Sequence, residues 1–159
     1  MPTLEKERKE MSFTLSKKSL EKLSGVDESL QRCVKKAIEL TKVDFAVICG
    51  MRTPEEQQAL LDKGATQTLK SKHLEGLAVD LMAYVGGRAS WELNLYDDIA
   101  DAMKDAAIKE GKPIRWGAAW HKPLNEWDGS AEDLMNQYID LRRSEGRRPF
   151  IDAPHFELV

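Results

Sequence analysis

The stretch of sequence that decides the fold is Ser71-Lys72-His73-Leu74-Glu75-Gly76-Leu77-Ala78-Val79-Asp80-Leu81-Met82-Ala83-Tyr84. From Leu77 onward the residues alternate, so that Leu77, Val79 and Leu81 lie on one face of a predicted strand and Asp80 lies on the other. His73 precedes Asp80 by seven residues, and Gly76 between them allows the backbone to turn. The pattern therefore predicts a strand that carries a carboxylate, with a histidine brought to the same point by the preceding loop.

Outside this stretch the chain predicts helices and short strands that do not follow a regular βαβ order. Helices are predicted over about 16–23, 27–42, 54–63 and 92–110 and from Ser130 onward, and strands over 45–49, 77–84, 113–117 and the residues from His155. The helix over 54–63 has the clearest start, because Thr53 is a good N-cap and a proline and two glutamates follow it. We therefore expect a small α+β domain in which helices pack on an antiparallel sheet.

Length and composition limit the classes of protein that fit. The 159 residues suit one domain of roughly 100–200 residues. A chain with 42% hydrophobic residues and a net charge of −3 is neither disordered nor a basic nucleic-acid binder. A core of this size needs no metal or disulfide to fold, so Cys33 and Cys49 are predicted to be small buried hydrophobic residues, and any metal would be functional.

The charged N-terminus does not resemble a secretory signal, and no apolar run reaches the ~18 residues of a membrane span. We expect a monomer that is made in the cytoplasm, without membrane insertion and without a nucleic-acid partner. Met11-Ser12-Phe13 looks like a second possible start. Residues 1–10 are therefore predicted to be a poorly ordered extension outside the fold.

Histidines and acidic residues suggest a metal site. His155 begins the last predicted strand, and Asp152 lies three residues before it, with Pro154 fixing the backbone direction. Two neutral imidazoles and one carboxylate, here His73, His155 and Asp80, are a common ligand set for catalytic zinc that leaves a fourth position to water. Asp152 could then accept a proton from that water. Each residue taken alone could instead have a structural role, and it is the combination that favours a site.

Four spaced motifs strengthen this interpretation. They are Gly50-Met51-Arg52-Thr53, the pattern S-x-H-x-x-G-x-A-x-D over 71–80, Arg115-Trp116-Gly117-Ala118-Ala119-Trp120, and Asp152-Ala153-Pro154-His155. In this order they resemble the motifs of the zinc peptidases that cut peptidoglycan stem peptides, a family of D-Ala-D-Ala carboxypeptidases and phage L-alanyl-D-glutamate endopeptidases. The resemblance covers residues 11–159 and is closest to single-domain phage endolysins, which also end on an H-x-E-L-V tail.

The resemblance implies a role for each residue that matches a motif. It implies zinc bound by His73, Asp80 and His155, with the metal site on the sheet. It also implies that Asp152 is the general base and that Arg52 binds substrate or stabilises the oxyanion. The three ligands carry one negative charge against the two positive charges of zinc, which leaves a net positive charge at the site.

Other positions either support the site or depart from the family pattern. Ser71, Trp116 and Trp120 are expected behind the ligands or facing the substrate, although core packing is the more common use of a residue such as Trp116. Ala119 stands where many relatives carry Asp or Asn. The segment 121–150 is longer than a simple connection, and His121 within it is predicted to be an exposed loop residue.

The resemblance implies a zinc endopeptidase that cleaves the L-alanyl-D-glutamate bond of peptidoglycan as a phage endolysin in host cell lysis. It further implies synthesis in the host cytoplasm and action in the periplasm, after release by a separate membrane-permeabilising protein. Three alternatives stay open at this point: a D-Ala-D-Ala carboxypeptidase or dipeptidase whose Arg52 grips a terminal carboxylate, a non-catalytic zinc-binding module that recognises the wall, and an unrelated α+β domain with coincidental motifs.

Overall fold

Helices and strands follow one another in the irregular order that the sequence predicts. The computed structural model describes residues 12–66, 68 and 70–159. Within these residues the helices are α1 (Lys17–Leu23), α2 (Glu28–Leu40), α3 (Pro54–Asp62), α4 (Leu93–Glu110) and α5 (Ala131–Ser144). The strands are β1 (Asp44–Cys49), β2 (Ala78–Val85), β3 (Arg88–Ser90), β4 (Ile114–Trp116) and β5 (His155–Leu158). Short 3-10 helices span Lys72–Glu75 and Leu124–Glu126.

The sheet is antiparallel and places β2 at its centre. Its strand order is β1-β2-β5-β4, and β3 also pairs with β2. The register sets Asp80 of β2 opposite His155 of β5 and, across an irregularity after Val47, opposite Cys49 of β1. The predicted α+β fold with helices packed on an antiparallel sheet is therefore confirmed, and its central strand carries the predicted carboxylate.

The core lies between the sheet and the long helices. α2 begins at the N-cap Asp27, whose carboxylate accepts hydrogen bonds from the backbone N–H groups of Ser29 and Leu30. The helix packs against α4, and the two helices bury side chains at helical spacing: Leu30, Val34, Ile38, Ile99, Met103 and Ala106. This extensive apolar core agrees with the expectation that the fold does not depend on an ion.

One strand was not predicted. Gly86 and Gly87 look like the end of a strand in the sequence, yet both adopt positive φ angles of 58° and 77° and form a two-residue turn. The chain then returns as β3, with Arg88 paired to Val85. Two consecutive positive φ angles match the right-handed twist of a β-hairpin, so the glycine pair reverses the chain direction between β2 and β3.

Two expectations concern the N-terminus and the membrane. Residues 1–10, predicted to be an extension, lie outside the described residues. In the part of the chain that the structure describes, no helix combines the length and the apolar character that crossing a membrane requires.

Candidate metal and catalytic site

Asp80 lies between two imidazole rings. Its Oδ2 is 3.3 Å from Nε2 of His73, and its Oδ1 is 3.3 Å from Nδ1 of His155. The ring centroids of the two histidines are 5.1 Å apart, in an edge-on arrangement. Oδ1 is buried and has no partner of hydrogen-bond geometry among the described residues. The three predicted ligands therefore meet at one carboxylate, whose buried Oδ1 contacts His155 without forming a well-aligned hydrogen bond.

In each ring the nitrogen that points away from Asp80, here called the outer nitrogen, has its own partner. Nδ1 of His73 lies 2.8 Å from the carbonyl oxygen of Gly50, and Nε2 of His155 lies 2.8 Å from Oε1 of Glu157. Each partner accepts a hydrogen bond from the outer N–H and so fixes which ring nitrogen faces Asp80. This arrangement is the one that metal-binding histidines commonly show in proteins.

The charges at the site favour a cation between these groups. Burial opposes a charged His73, but hydrogen bonds to Asp80 and Cys49 outweigh it and raise its pKa to about 10. Burial likewise opposes a charged His155, and Asp80 and Glu157 raise its pKa to about 9. The two rings in turn hold the pKa of the buried Asp80 carboxyl well below its usual range. A divalent cation bound by His73, Asp80 and His155 would supply the same positive charge and would compete with these protons for the ring nitrogens.

Two compact donor groups share Asp80. Cys49, His73 and Asp80 offer donor atoms that lie within 4.8 Å of one another, and so do Asp80, Asp152 and His155. The predicted ligand set takes His73 from the first group and His155 from the second. Nitrogen and carboxylate donors of this kind suit a divalent transition-metal ion, so the residues present fit a bound metal.

Cys49 is not the buried hydrophobic residue that the sequence predicts. It is half-buried, and its Sγ lies 3.6 Å from Nδ1 of His73 and 3.4 Å from Nη2 of Arg52. The register shift after Val47 brings this last residue of β1 opposite Asp80. A local apolar pattern does not reveal such a shift, which is why the sequence gives no sign of this contact.

Asp152 lies beside the donor atoms of Asp80 and His155, on a turn that is hydrogen-bonded to Gly117, the residue after β4. The backbone N–H of Asp152 donates to the carbonyl of Gly117 over 2.7 Å, and the N–H of His155 donates to the carbonyl of Asp152 over 3.0 Å. Burial, with the negative charge of Asp80 as a further cause, raises the pKa of the Asp152 carboxyl. A carboxylate with a raised pKa is a better proton acceptor, which suits the predicted role of general base.

Arg52 is held beside Asp80 by Gln57, a residue for which the sequence motifs indicate no role. Nη1 of Arg52 donates to Oε1 of Gln57 over 2.6 Å, and Nη2 lies 3.7 Å from Oδ2 of Asp80. Gln57, on α3, is fully buried and also donates to the carbonyl of Thr68 over 2.7 Å. Its buried amide therefore fixes the guanidinium at one side of the site. In the sequence, the only sign of this contact is that Gln57 follows Arg52 by five residues, near the start of a predicted helix.

A cavity of about 630 Å³ opens at this site. Its lining includes every predicted ligand together with Arg52, Ser71, Trp120, Phe150 and Asp152. Trp120 stacks on Phe150 with ring centroids 5.9 Å apart, and its ring lies 5.4 Å from that of His155. Oγ of Ser71 accepts a hydrogen bond from the backbone N–H of His73 over 3.2 Å. The cavity therefore has a polar floor and one aromatic wall.

Trp116 does not line the cavity and packs in the core, the use that the sequence favours for this residue over a place facing the substrate. Its side chain is fully buried and stacked on Phe156, and its Nε1 donates to the carbonyl of Ala153 over 2.7 Å. Trp116 packs in the core directly behind the turn that carries Asp152. Ala119 is also fully buried, so its position holds a small core residue in this chain.

His121 is half-buried where the sequence predicts exposure. Its ring stacks on Tyr138 of α5, and its Nε2 lies 2.8 Å from Oε1 of Gln137. It is not among the residues that line the cavity. The segment 121–150 thus contains the second 3-10 helix and α5. Its last residue, Phe150, contributes to the aromatic wall of the cavity.

Sequence comparison relates this chain to known peptidases. Residues 11–159 match the family described as phage L-alanyl-D-glutamate peptidase. The L-alanyl-D-glutamate peptidase of Escherichia phage T5 is 31% identical over 153 residues, which cover 94% of this chain and 100% of that protein. The protein of the same name from Listeria phage A118 is 24% identical over 106 residues, or 65% of this chain and 37% of its own length.

A solved structure shows the same similarity in three dimensions. The L-Ala D-Glu endopeptidase ChiX of Serratia marcescens superposes with a TM-score of 0.69 at 31% identity, covering 94% of this chain and 92% of that one. The chain belongs to the phage L-alanyl-D-glutamate peptidase family. The resemblance expected from the four motifs is therefore confirmed.

Proposed function

We propose that this protein is a zinc-dependent endopeptidase that hydrolyses peptidoglycan stem peptides at the L-alanyl-D-glutamate bond. The observation that carries the proposal is the position of Asp80, which lies 3.3 Å from each of two imidazoles and shares a compact donor group with Asp152. Family membership supports the substrate, since the relatives from phages T5 and A118 are named for this bond.

His73, Asp80 and His155 are the residues that would hold zinc. Once a metal had displaced the protons that face Asp80, two imidazole nitrogens and one carboxylate would match a common catalytic ligand set. Gly50 and Glu157 hold the outer ring nitrogens. When bound in such a site, zinc lowers the pKa of a water molecule and polarises the carbonyl to be attacked.

The remaining residues supply proton transfer and charge stabilisation. Asp152 accepts the proton of the attacking water and later delivers it to the amine of the leaving D-glutamyl residue. The guanidinium of Arg52 lies at the side of Asp80, where it can stabilise negative charge that develops on the carbonyl oxygen. Ser71 supports the loop of His73, and Trp120 with Phe150 offers an apolar surface to the peptide.

Family membership and the sequence support a proposal for the biological setting. Residues 11–159 form the peptidase domain and residues 1–10 an extension. The protein acts as a monomer on peptidoglycan during host cell lysis, is made in the host cytoplasm, and reaches the periplasm after a separate protein has permeabilised the membrane.

The test is digestion of purified peptidoglycan, with products identified by mass spectrometry. We expect stem peptides that begin with a free D-glutamyl amine, loss of this activity with a chelator, and recovery with zinc. Replacing any one of the three proposed ligands with alanine should abolish both metal binding and activity. Release of free D-alanine would instead identify a carboxypeptidase, and retained zinc without any product would identify a binding module.

A further inference from the structure

Glu157 lies two residues after His155 on the same face of β5. The residue is buried, with 8% of its surface exposed, and its two carboxylate oxygens have different partners. Oε1 lies 2.8 Å from Nε2 of His155, and Oε2 lies 3.3 Å from Nζ of Lys72 and 4.0 Å from Nη1 of Arg115. Both oxygens of this buried carboxylate are therefore engaged, which holds the side chain in one orientation.

Lys72 directly precedes His73 and contacts the end of the chain. Its Nζ forms a short hydrogen bond with the carbonyl oxygen of Leu158 in addition to the ion pair with Glu157. A single ammonium group thus joins the 3-10 helix that carries His73 to the strand that carries His155. No other side chain among the described residues forms an ion pair between these two segments.

We propose that Lys72 and Glu157 form a positioning pair that fixes the orientation of His155 and holds the His73 segment against β5, so that the metal ligands are arranged before the ion binds. Glu157 keeps the proton of His155 on Nε2 and leaves Nδ1 facing Asp80. Lys72 keeps Glu157 in place and fixes the distance between the two ligand-bearing segments. The inference rests on the proposed function only in taking the ion to bind at these ligands.

The first measurement is the zinc affinity of the metal-depleted protein, determined by competition with a chromogenic chelator. Outer hydrogen-bond partners of metal ligands typically contribute about 10–100-fold in affinity, and we expect a loss of that order in Glu157→Ala. Glu157→Gln should recover part of it, because its amide oxygen still accepts the hydrogen bond from Nε2. Glu75→Ala is the matched control, since Glu75 is exposed on the same loop and has no ion pair within the described residues.

The second measurement separates the two members of the pair. Lys72→Met should weaken zinc binding several-fold, and Lys72→Met combined with Glu157→Ala should be no weaker than Glu157→Ala alone, since interacting residues are not additive. NMR of the ring N–H of His155 gives a readout without activity. The slowly exchanging Nε2 proton should be present in the wild type and in Glu157→Gln and absent in Glu157→Ala, with or without zinc.

The proposal is overturned if Glu157→Ala binds zinc like the wild type and retains the Nε2 proton. It is also overturned if Glu157→Ala binds zinc normally but loses activity, because Glu157 would then be the base. A wild-type protein that binds no zinc would refute the proposed function, whereas the NMR signal of His155 would still decide the role of Glu157. Melting temperatures of all variants identify any loss of fold.

Discussion

Replacing Gly117 with alanine tests how accurately the turn that carries Asp152 and leads to His155 must be placed. A Cβ at this position would lie 2.2 Å from the carbonyl oxygen of Asp152 and 3.0 Å from Cβ of His155. Both contacts involve atoms that cannot rotate away. The two backbone hydrogen bonds that join Gly117 to Asp152 and His155 would therefore stretch or break.

The structure sets the size of the expected effect. A normal contact requires the turn to move by about 1 Å, and misplacement of catalytic groups on this scale lowers rates on the order of 10²-fold. We therefore expect kcat/KM to fall by about two orders of magnitude. Overpacking should also lower the free energy of unfolding by about 1–3 kcal/mol.

The assay is hydrolysis of a soluble stem peptide, measured with zinc content and melting temperature. Gly25→Ala is the control, because its Cβ would come no closer than 3.2 Å to any atom, and the nearest atom is the Cβ of the exposed Met51. A shift of a few tenths of an ångström in this exposed segment would relieve the contact, so the control should keep its rate. If Gly117→Ala turns over like the wild type, the turn does not place the catalytic groups as we argue.

Four further predictions concern other parts of the molecule. Asp152→Asn should keep its zinc and lose about 10²–10⁴-fold in kcat, and loss of zinc would instead make Asp152 a ligand. The metal-free protein should stay folded with a lower melting temperature, and a random-coil circular dichroism spectrum would contradict this. Deletion of residues 1–10 should leave activity and melting temperature nearly unchanged, and a drop of many degrees would show that the segment docks. Burial raises the pKa of Asp97 to about 6, and Glu132 adds to the shift. Because Asp97 ionises at a lower pH in the unfolded chain than in the folded one, the free energy of unfolding of the wild type falls as the pH rises from about 4 to about 6. Asp97→Asn should therefore match the wild type near pH 4 and exceed it by about 1–3 kcal/mol in unfolding free energy at pH 7, and an equal gain at both values would exclude this cause.

Local signals were sufficient for most of the fold. The N-cap Thr53, the proline after it and Glu56 form a capping box in the structure, where the sequence predicts a helix start. The alternation from Leu77 to Tyr84 likewise predicts β2 to within one residue. These elements could be predicted because their determinants lie within a few residues of one another.

Contacts between distant segments could not be predicted in the same way. The shift that brings Cys49 to His73 depends on how β1 pairs with β2, and the amide of Gln57 reaches Arg52 only once α3 is packed. The motifs indicated which residues belong to the site but not how their outer atoms are held. Glu157 belongs to the H-x-E-L-V tail in the sequence, but its contacts with His155 and Lys72 are visible only in the fold.

The distribution of charge explains why one carboxylate of the site differs from the others. Asp80 has two imidazoles and the guanidinium of Arg52 as neighbours, and Glu157 has Lys72 and His155. Asp152 has no ion pair among the described residues, and burial raises its pKa while the pKa of Glu157 is lowered by His155 and Lys72 despite burial. Because paired carboxylates resist protonation, we expect the proton released in hydrolysis to go to the unpaired one. The fold would then separate the residues that we propose as metal ligands from the residue that we propose as the proton acceptor.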